Sequence, residues 1–360
     1  MITKPTLFID KTKCKENIQR MCSKAKTHQL ELRPHFKSHQ SLEIGRWFKD
    51  FGVNKITVSS LAMADYFSSE WEDITVAFPT NILEIETIND LAGRINLNLI
   101  VEAEDTLAFL SENLTSTLGV FIKVDIGYHR TGVAPENLAL INQLLSQIDA
   151  SDKIQFKGFL GHAGHTYKCR TNEGILEVHQ KSLEIMARLK NAYGERYPGL
   201  IISVGDTPSC SVAENFEGVD EIRPGNFVFY DLAQNKIGSN DISQIAVAMA
   251  CPVVAIHKDR LEIVVYGGGV HFSKDRLEGE KEGTVFGRVV EQSERGWGDI
   301  IPGMYVKSLS QEHGIISVPG SMIDQYKIGD CLMVLPVHIC MTANLMKSYH
   351  TFDNEVISRL

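Results

Sequence analysis

The stretch IQFKGFLGHAGHTYKCRTNEGILEVHQKSLEIMARLKNAYGE, residues 154–195, is one complete structural phrase. An apolar, β-favouring run comes first, then a polar glycine- and histidine-bearing break. From Gly174 onward apolar residues recur three or four apart. The first part reads as a buried strand and the last as an amphipathic helix.

The phrase repeats. Candidate strands fall at 31–36, 55–60, 73–78, 96–101, 118–126, 154–162, 200–205 and 221–229. Helical patterns such as SLEIGRWFKDF, EIETINDLAGR and PENLALINQLLSQI lie between most of them. Eight alternations of strand and helix predict an α/β fold of the (β/α)8 TIM-barrel type rather than an open doubly wound sheet. After about residue 245 the grammar changes to strand-like runs separated by turn residues, which predicts a C-terminal all-β domain. The extended opening TKPTLFID precedes the first helical pattern and is free to join that domain. The expected division is therefore a barrel over 13–245 and a β-domain over 246–360 together with 1–12.

Composition narrows the function. With 45 acidic against 36 basic residues and a net charge of −9, no lysine/arginine block is present to track a phosphate backbone or an anionic membrane. Nucleic acid and membrane are thus not expected as partners. Seven cysteines, scattered and without a CxxC pair, argue against a disulfide framework and a zinc ribbon. With no basic leader and no long uncharged apolar run, a cytoplasmic protein is expected.

In such a barrel the working residues stand at the C-terminal ends of the strands. The first expected strand runs into RPHFKSHQ with Lys37, and the fifth into DIGYHRTG with Arg130. The sixth leads to GHAGHTY with His162, His165 and Tyr167. The seventh and eighth reach SVGDTPS, with Ser203, Gly205 and Thr207, and RPGN, with Gly225 and Asn226. Either of the last two alone reads as an ordinary turn. Together, after strands seven and eight, they suit a phosphate. A phosphate on one side of the mouth and a lysine in a cationic setting on the other suggest a phosphorylated carbonyl cofactor held as a Schiff base, namely pyridoxal phosphate. His338 and Cys340 alternate with Ile339 in a strand-like run, so both would face one side, close enough for one ion; on that ground alone a structural role is the commoner explanation.

The segments RPHFKSHQ, VDIGYHRTGV, GHAGHTY, SVGDTPS, EIRPGNFVFYD and PVHICMTANL occur in the order and spacing of a known group. The chain resembles, from PTLFID to TANL, the D-threonine aldolase / D-serine dehydratase family of pyridoxal-phosphate enzymes with an alanine racemase-like barrel. The resemblance implies that Lys37 is the Schiff-base lysine and the base that moves the α-proton. It implies that Arg130 faces the pyridine nitrogen, that His165 and Tyr167 lie beside the cofactor, and that Ser203, Gly205, Thr207, Gly225 and Asn226 hold its phosphate. His338 and Cys340 fall on the family's metal pair, and the cysteine favours zinc and the dehydratase branch. The implied substrate is a D-configured 3-hydroxy amino acid, with dehydration to a 2-oxo acid and ammonia expected and retro-aldol cleavage to glycine and an aldehyde as the alternative. A homodimer is implied by the family alone. A racemase would need a second base, for which Tyr266 and Tyr305 are candidates; a non-enzymatic cofactor carrier would have no use for the β-domain. His35, His39, His271 and His313 carry no assigned role.

Overall fold

The repeated phrase builds a parallel barrel in a computed structural model that describes residues 2–279 and 282–360. Its strands are β1 (Glu31–Leu32), β2 (Lys55–Val58), β3 (Asp73–Pro79), β4 (Asn96–Val101), β5 (Leu118–Val124), β6 (Ile154–Gly161), β7 (Ile201–Val204) and β8 (Glu221–Ile222). Each pairs with its chain neighbour in parallel, and β1 pairs with β8, Glu31 opposite Glu221. The remaining seam, between β1 and β2, is closed by a single bridge in which Thr57 N–H donates to Pro34 O at 2.9 Å.

The helices form where the periodicity places them. Asn172–Tyr193 begins at Thr171, whose hydroxyl accepts from Gly174 N at 3.2 Å, and it buries Ile175, His179, Leu183, Met186, Leu189 and Tyr193 on one face. The central strand β5 is buried along its whole length, including Lys123.

The end strands are shorter than the sequence suggests. Of the expected 31–36 and 221–229, only Glu31–Leu32 and Glu221–Ile222 are strand. Pro34 and Pro224 cannot donate to a ladder, and the chain passes beyond each into a single 3-10 turn, Phe36–Ser38 and Asn226–Val228. The barrel is closed there by side chains instead. Arg33 donates from Nε to Glu221 Oε2 and from Nη1 to Asp73 Oδ1, both at 2.6 Å. Ser203 Oγ donates to Glu221 Oε1 at 2.5 Å and accepts from Arg223 Nε at 2.9 Å. All these side chains except Asp73 are at most 5% exposed.

The second unit comprises the residues up to Ile18 and Asn226–Arg359, and the barrel unit begins at Gln19 and runs to Gly225. The sequence grammar set these boundaries at 12/13 and 245/246. Residues 226–245 belong with the C-terminal part because they are bonded into it: Ala233 N donates to Val337 O at 3.0 Å, and Asp231 accepts from Ile339 N at 3.0 Å. Among the described residues this unit is mostly β, built on a nine-stranded sheet in which the N-terminal strand Thr6–Ile9 lies antiparallel to Val247–His257. One expected strand is absent. After the strand Cys331–Pro336 the chain turns into a helix, Ile339–Leu345, so His338 and Cys340 do not alternate on a strand.

Buried charge closes the barrel, so its loss is costly. Glu221→Ala leaves Arg33 and Arg223 short of their common counter-ion and is expected to destabilise the barrel by about 3–5 kcal/mol in urea unfolding, with Glu221→Gln costing less. Equal, small losses for both variants would show that the network carries no stability.

Candidate active site

The Lys37 turn is positioned from beneath. Phe36 is fully buried against His39, Phe48, Phe67 and Trp71, with ring centroids 4.4–5.1 Å away, which fixes the turn's rotation and leaves Lys37 exposed. His35 Nδ1 accepts from Lys37 N at 3.4 Å, and His35 N donates to Pro224 O at 2.8 Å. His35 thus tethers the lysine's backbone. His39, fully buried in the aromatic nest, accepts from Ser41 N at 3.1 Å and is a core histidine.

The loop after β5 is wound around Asp125, whose carboxylate accepts from Gly127 N at 3.0 Å, His129 N at 2.9 Å and His129 Nδ1 at 2.8 Å. Arg130 is exposed and lies over the Tyr128 ring at 5.0 Å. The other face of this loop meets β6's end, where the His165 ring stacks on Tyr128 at 6.2 Å. His165 Nδ1 is buried without a hydrogen-bond partner among the described residues. Tyr167 is exposed in the following turn, Gly164–Lys168.

Two glycines bring the loops after β7 and β8 together. Gly205 has φ +150°, and a Cβ there would come within 2.5 Å of Arg223 N; a Cβ on Gly225 would sit 2.7 Å from His35 O. Gly225 N donates to Thr207 Oγ1 at 3.3 Å. Asp206 joins this loop to the previous one, accepting from Thr166 Oγ1 at 2.9 Å and from Ser209 N at 2.8 Å.

Electrostatically the mouth is a cation cluster. Burial, then Lys37, Arg223 and His162, holds His35 well below the usual histidine range. Burial takes His162 down to about 3 against the pull of its 2.8 Å bond to Gly205 O, and Lys37, Arg223 and Arg130 press the same way. Lys123 falls to about 7 through burial and the neighbouring Arg223 and Arg130. In a chain of net charge −9, burial first and the gathered cations second keep both histidines neutral. A doubly negative phosphate group suits such a cluster.

Two expected phosphate residues have other partners for their side chains. Ser203 places its hydroxyl inside the barrel on Glu221 and Arg223. Asn226 belongs to the second unit, where its Nδ2 donates to Asp231 Oδ2 at 2.7 Å and approaches Cys340 Sγ at 3.7 Å. Two residues were missed. Arg223, buried and bonded to Ser203 and Gly161 O, stood inside EIRPGN; Lys123 stood in the otherwise uncharged run LGVFIKV, where a lysine is itself a signal.

In the second unit His338 caps the helix that carries Cys340. Its Nδ1 lies 3.3 Å from Asp275 Oδ2, and it also hydrogen bonds Cys340. Burial, which opposes a charged ring, is outweighed by Asp275, Cys340 and Asp231, and His338 is raised to about 11. These anionic groups would serve a cation. Among the described residues no group of three or more His, Cys, Asp or Glu side chains is gathered to hold a metal, so His338 and Cys340 are at most an open two-donor site. His271 is turned to its own segment, Nδ1 accepting from Gly268 N at 3.2 Å, and His313 is exposed on a strand beside Tyr266.

The barrel with its basic strand ends defines a class of alanine racemase-type proteins, and the family described as "Alanine racemase, N-terminal domain" matches residues 9–232. A "Putative serine dehydratase domain" matches residues 246–352. The D-serine dehydratase of Dictyostelium discoideum is 30% identical, over 98% of this chain and 93% of that one. The D-threo-3-hydroxyaspartate dehydratase of Delftia sp. HT23 has the same fold, with a TM-score of 0.91 at 26% identity over 100% of this chain and 98% of that one. A Cys→Ala mutant of the same enzyme, described as the metal-free form, superposes with a TM-score of 0.89 at 26% identity over 100% of this chain and 98% of that one. The chain belongs to this D-serine dehydratase-like family of alanine racemase-type enzymes.

Asp206 gives a pH test of the loop tie. Burial raises its carboxyl from 3.8 to about 6 despite its hydrogen bonds to Ser209 and Thr166. The folded protein keeps a proton that the unfolded chain releases, so this contribution to stability is complete below about pH 4 and is lost as pH rises through 6. Between pH 4 and 7 the unfolding free energy of wild type relative to Asp206→Asn should fall by up to about 3 kcal/mol, given 1.36 kcal/mol per pKa unit. A pH-independent difference in denaturant titrations would contradict it.

Proposed function

We propose that the protein is a pyridoxal-phosphate- and metal-dependent lyase of D-configured 3-hydroxy amino acids, of the D-serine dehydratase type, acting as a homodimer in the cytoplasm. The observation that carries the reading is the cation cluster at Lys37, where burial and the neighbouring charges together hold His35 and His162 neutral. When bound, pyridoxal phosphate supplies a carbonyl that takes the substrate amino group and a conjugated ring that delocalises electrons released at Cα.

The chain's own residues do the rest. Lys37 Nζ is the group that takes the α-proton, and the neutral histidines beside it are too weakly basic to compete for that proton. The loops at Gly205–Thr207 and Gly225 present backbone N–H groups and the Thr207 hydroxyl to the phosphate. Arg223, buried and fixed by Ser203 and Gly161, is a permanent cation suited to a ring nitrogen that must stay unprotonated, and we prefer it to the exposed Arg130 for that role. Arg130, His165 and Tyr167 remain at the rim, where they orient the cofactor ring and the substrate carboxylate. His338 and Cys340 would hold a divalent cation, which would supply Lewis-acid assistance to loss of a hydroxyl, and a thiolate ligand would favour zinc.

Dehydration is preferred to retro-aldol cleavage because the metal pair carries a cysteine and because the Dictyostelium relative is a D-serine dehydratase. The test is to incubate the pure protein with D-serine, D-threonine and D-threo-3-hydroxyaspartate and to assay 2-oxo acid against glycine plus aldehyde. Oxo acid and ammonia are expected; glycine as the main product reverses the assignment. Borohydride reduction in the presence of pyridoxal phosphate should label the Lys37 peptide. Lys37→Ala should lower turnover by at least about 10^2- to 10^4-fold, the range for loss of a positioned proton-transfer group. A label on another lysine would overturn the role given to Lys37.

A further inference from the structure

The metal reading leaves unexplained why His338 and Cys340 stand among so many polar groups of the same unit. His338 begins a helix, a position where its ring could turn freely. Its Nδ1 instead meets Asp275 Oδ2 at 3.3 Å. Asp275 is itself held, since its Oδ2 accepts from Ser273 Oγ at 2.9 Å and its N–H donates to Ser273 Oγ at 3.2 Å. The segment bearing it is joined to the helix of Cys340 by Thr342 Oγ1, which donates to Phe272 O at 3.0 Å. On the other side Asp231 Oδ2 accepts both from Ile339 N at 3.0 Å and from Asn226 Nδ2 at 2.7 Å, and that same amide nitrogen lies 3.7 Å from Cys340 Sγ. Two carboxylates and one amide thus bracket the two donor side chains.

We propose that Asp275 and Asn226 are positioning residues of the metal pair: Asp275 accepts a hydrogen bond from Nδ1–H of His338 and so presents Nε2 to the ion, while Asn226, anchored on Asp231, donates to the Cys340 sulfur and fixes its direction. The chemistry is that of a ligating imidazole whose second nitrogen donates to a carboxylate, which sets tautomer and ring orientation and makes the ligating nitrogen more basic. A two-donor site needs such help more than a four-donor one, because fewer metal–ligand bonds fix the direction of each donor. The proposal also gives the Asn226 side-chain amide a function of its own. It rests on the metal reading, and the experiment separates the two.

Full-length protein carrying pyridoxal phosphate is titrated with zinc in competition with a chromophoric chelator, for wild type, Asp275→Asn, Asp275→Ala and Asn226→Ala. Wild type should hold one zinc per chain. Asp275→Ala should bind it about 10- to 100-fold more weakly, the loss that follows removal of such a partner. Asp275→Asn should lie between, since its amide oxygen still accepts from Nδ1 but carries no charge. In cobalt-substituted protein, Asn226→Ala should shift the thiolate-to-cobalt charge-transfer band, which a merely structural role leaves in place. If wild type binds zinc and both Asp275 variants bind within twofold of it, this proposal fails and the metal reading stands. If wild type binds no zinc, both fail. Should Asp275→Ala not fold, Asp275→Asn is judged by the same twofold criterion.

Discussion

The barrel depends on a chain of buried charge, Arg33 to Glu221 to Ser203 to Arg223. Strands β1 and β8 have only two residues each, so backbone pairing alone gives a weak seam. The side chains strengthen it by using Glu221 twice, once toward each arginine. An isolated buried arginine would be prohibitive; here each is met by a carboxylate or by oxygens of the backbone and Ser203. The same chain delivers Arg223 beside His35 and His162, so the device that closes the barrel also sets the charge of its mouth.

Burial, seconded by that charge, explains the neutral histidines of the mouth. RPHFKSHQ looks like a basic cluster, yet in the folded chain its two histidines serve the backbone. His35 is neutral and occupied with the lysine's amide, and His39 is core. Lys37 remains exposed in that stretch, and the rings of His35 and His162, held well below the usual histidine range, are poor sites for its proton.

The alternation of strand and helix made the barrel legible, because most residues of each central strand are apolar or β-branched and the helices carry an apolar face. Lys37 was legible too, since it follows directly on a strand. The termini of the barrel were not: Pro34 and Pro224 stop the ladder, and the pairing passes to side chains that a periodicity argument does not count. The segment after Pro336 was misread for a related reason. ICMTANL is apolar enough for a strand, but the backbone turns at His338 and Asp231 receives the first free N–H of a helix. Asp275 was invisible because its value lies in meeting a residue far along the chain.

The closing seam also orders the assembly of the protein. Arg33 and Glu221 are separated by 188 positions, so the ion pair that completes the barrel is among its most distant contacts. A nascent chain that has not yet delivered Glu221 offers Arg33 only the half-buried Asp73, and the Lys37 turn just beyond it lacks the Pro224 carbonyl that receives His35 N. Loop-closure entropy makes such contacts slow to form. The reactive amine is therefore set in place late, and a truncated or half-folded chain displays a lysine on a loose segment rather than one in a finished site.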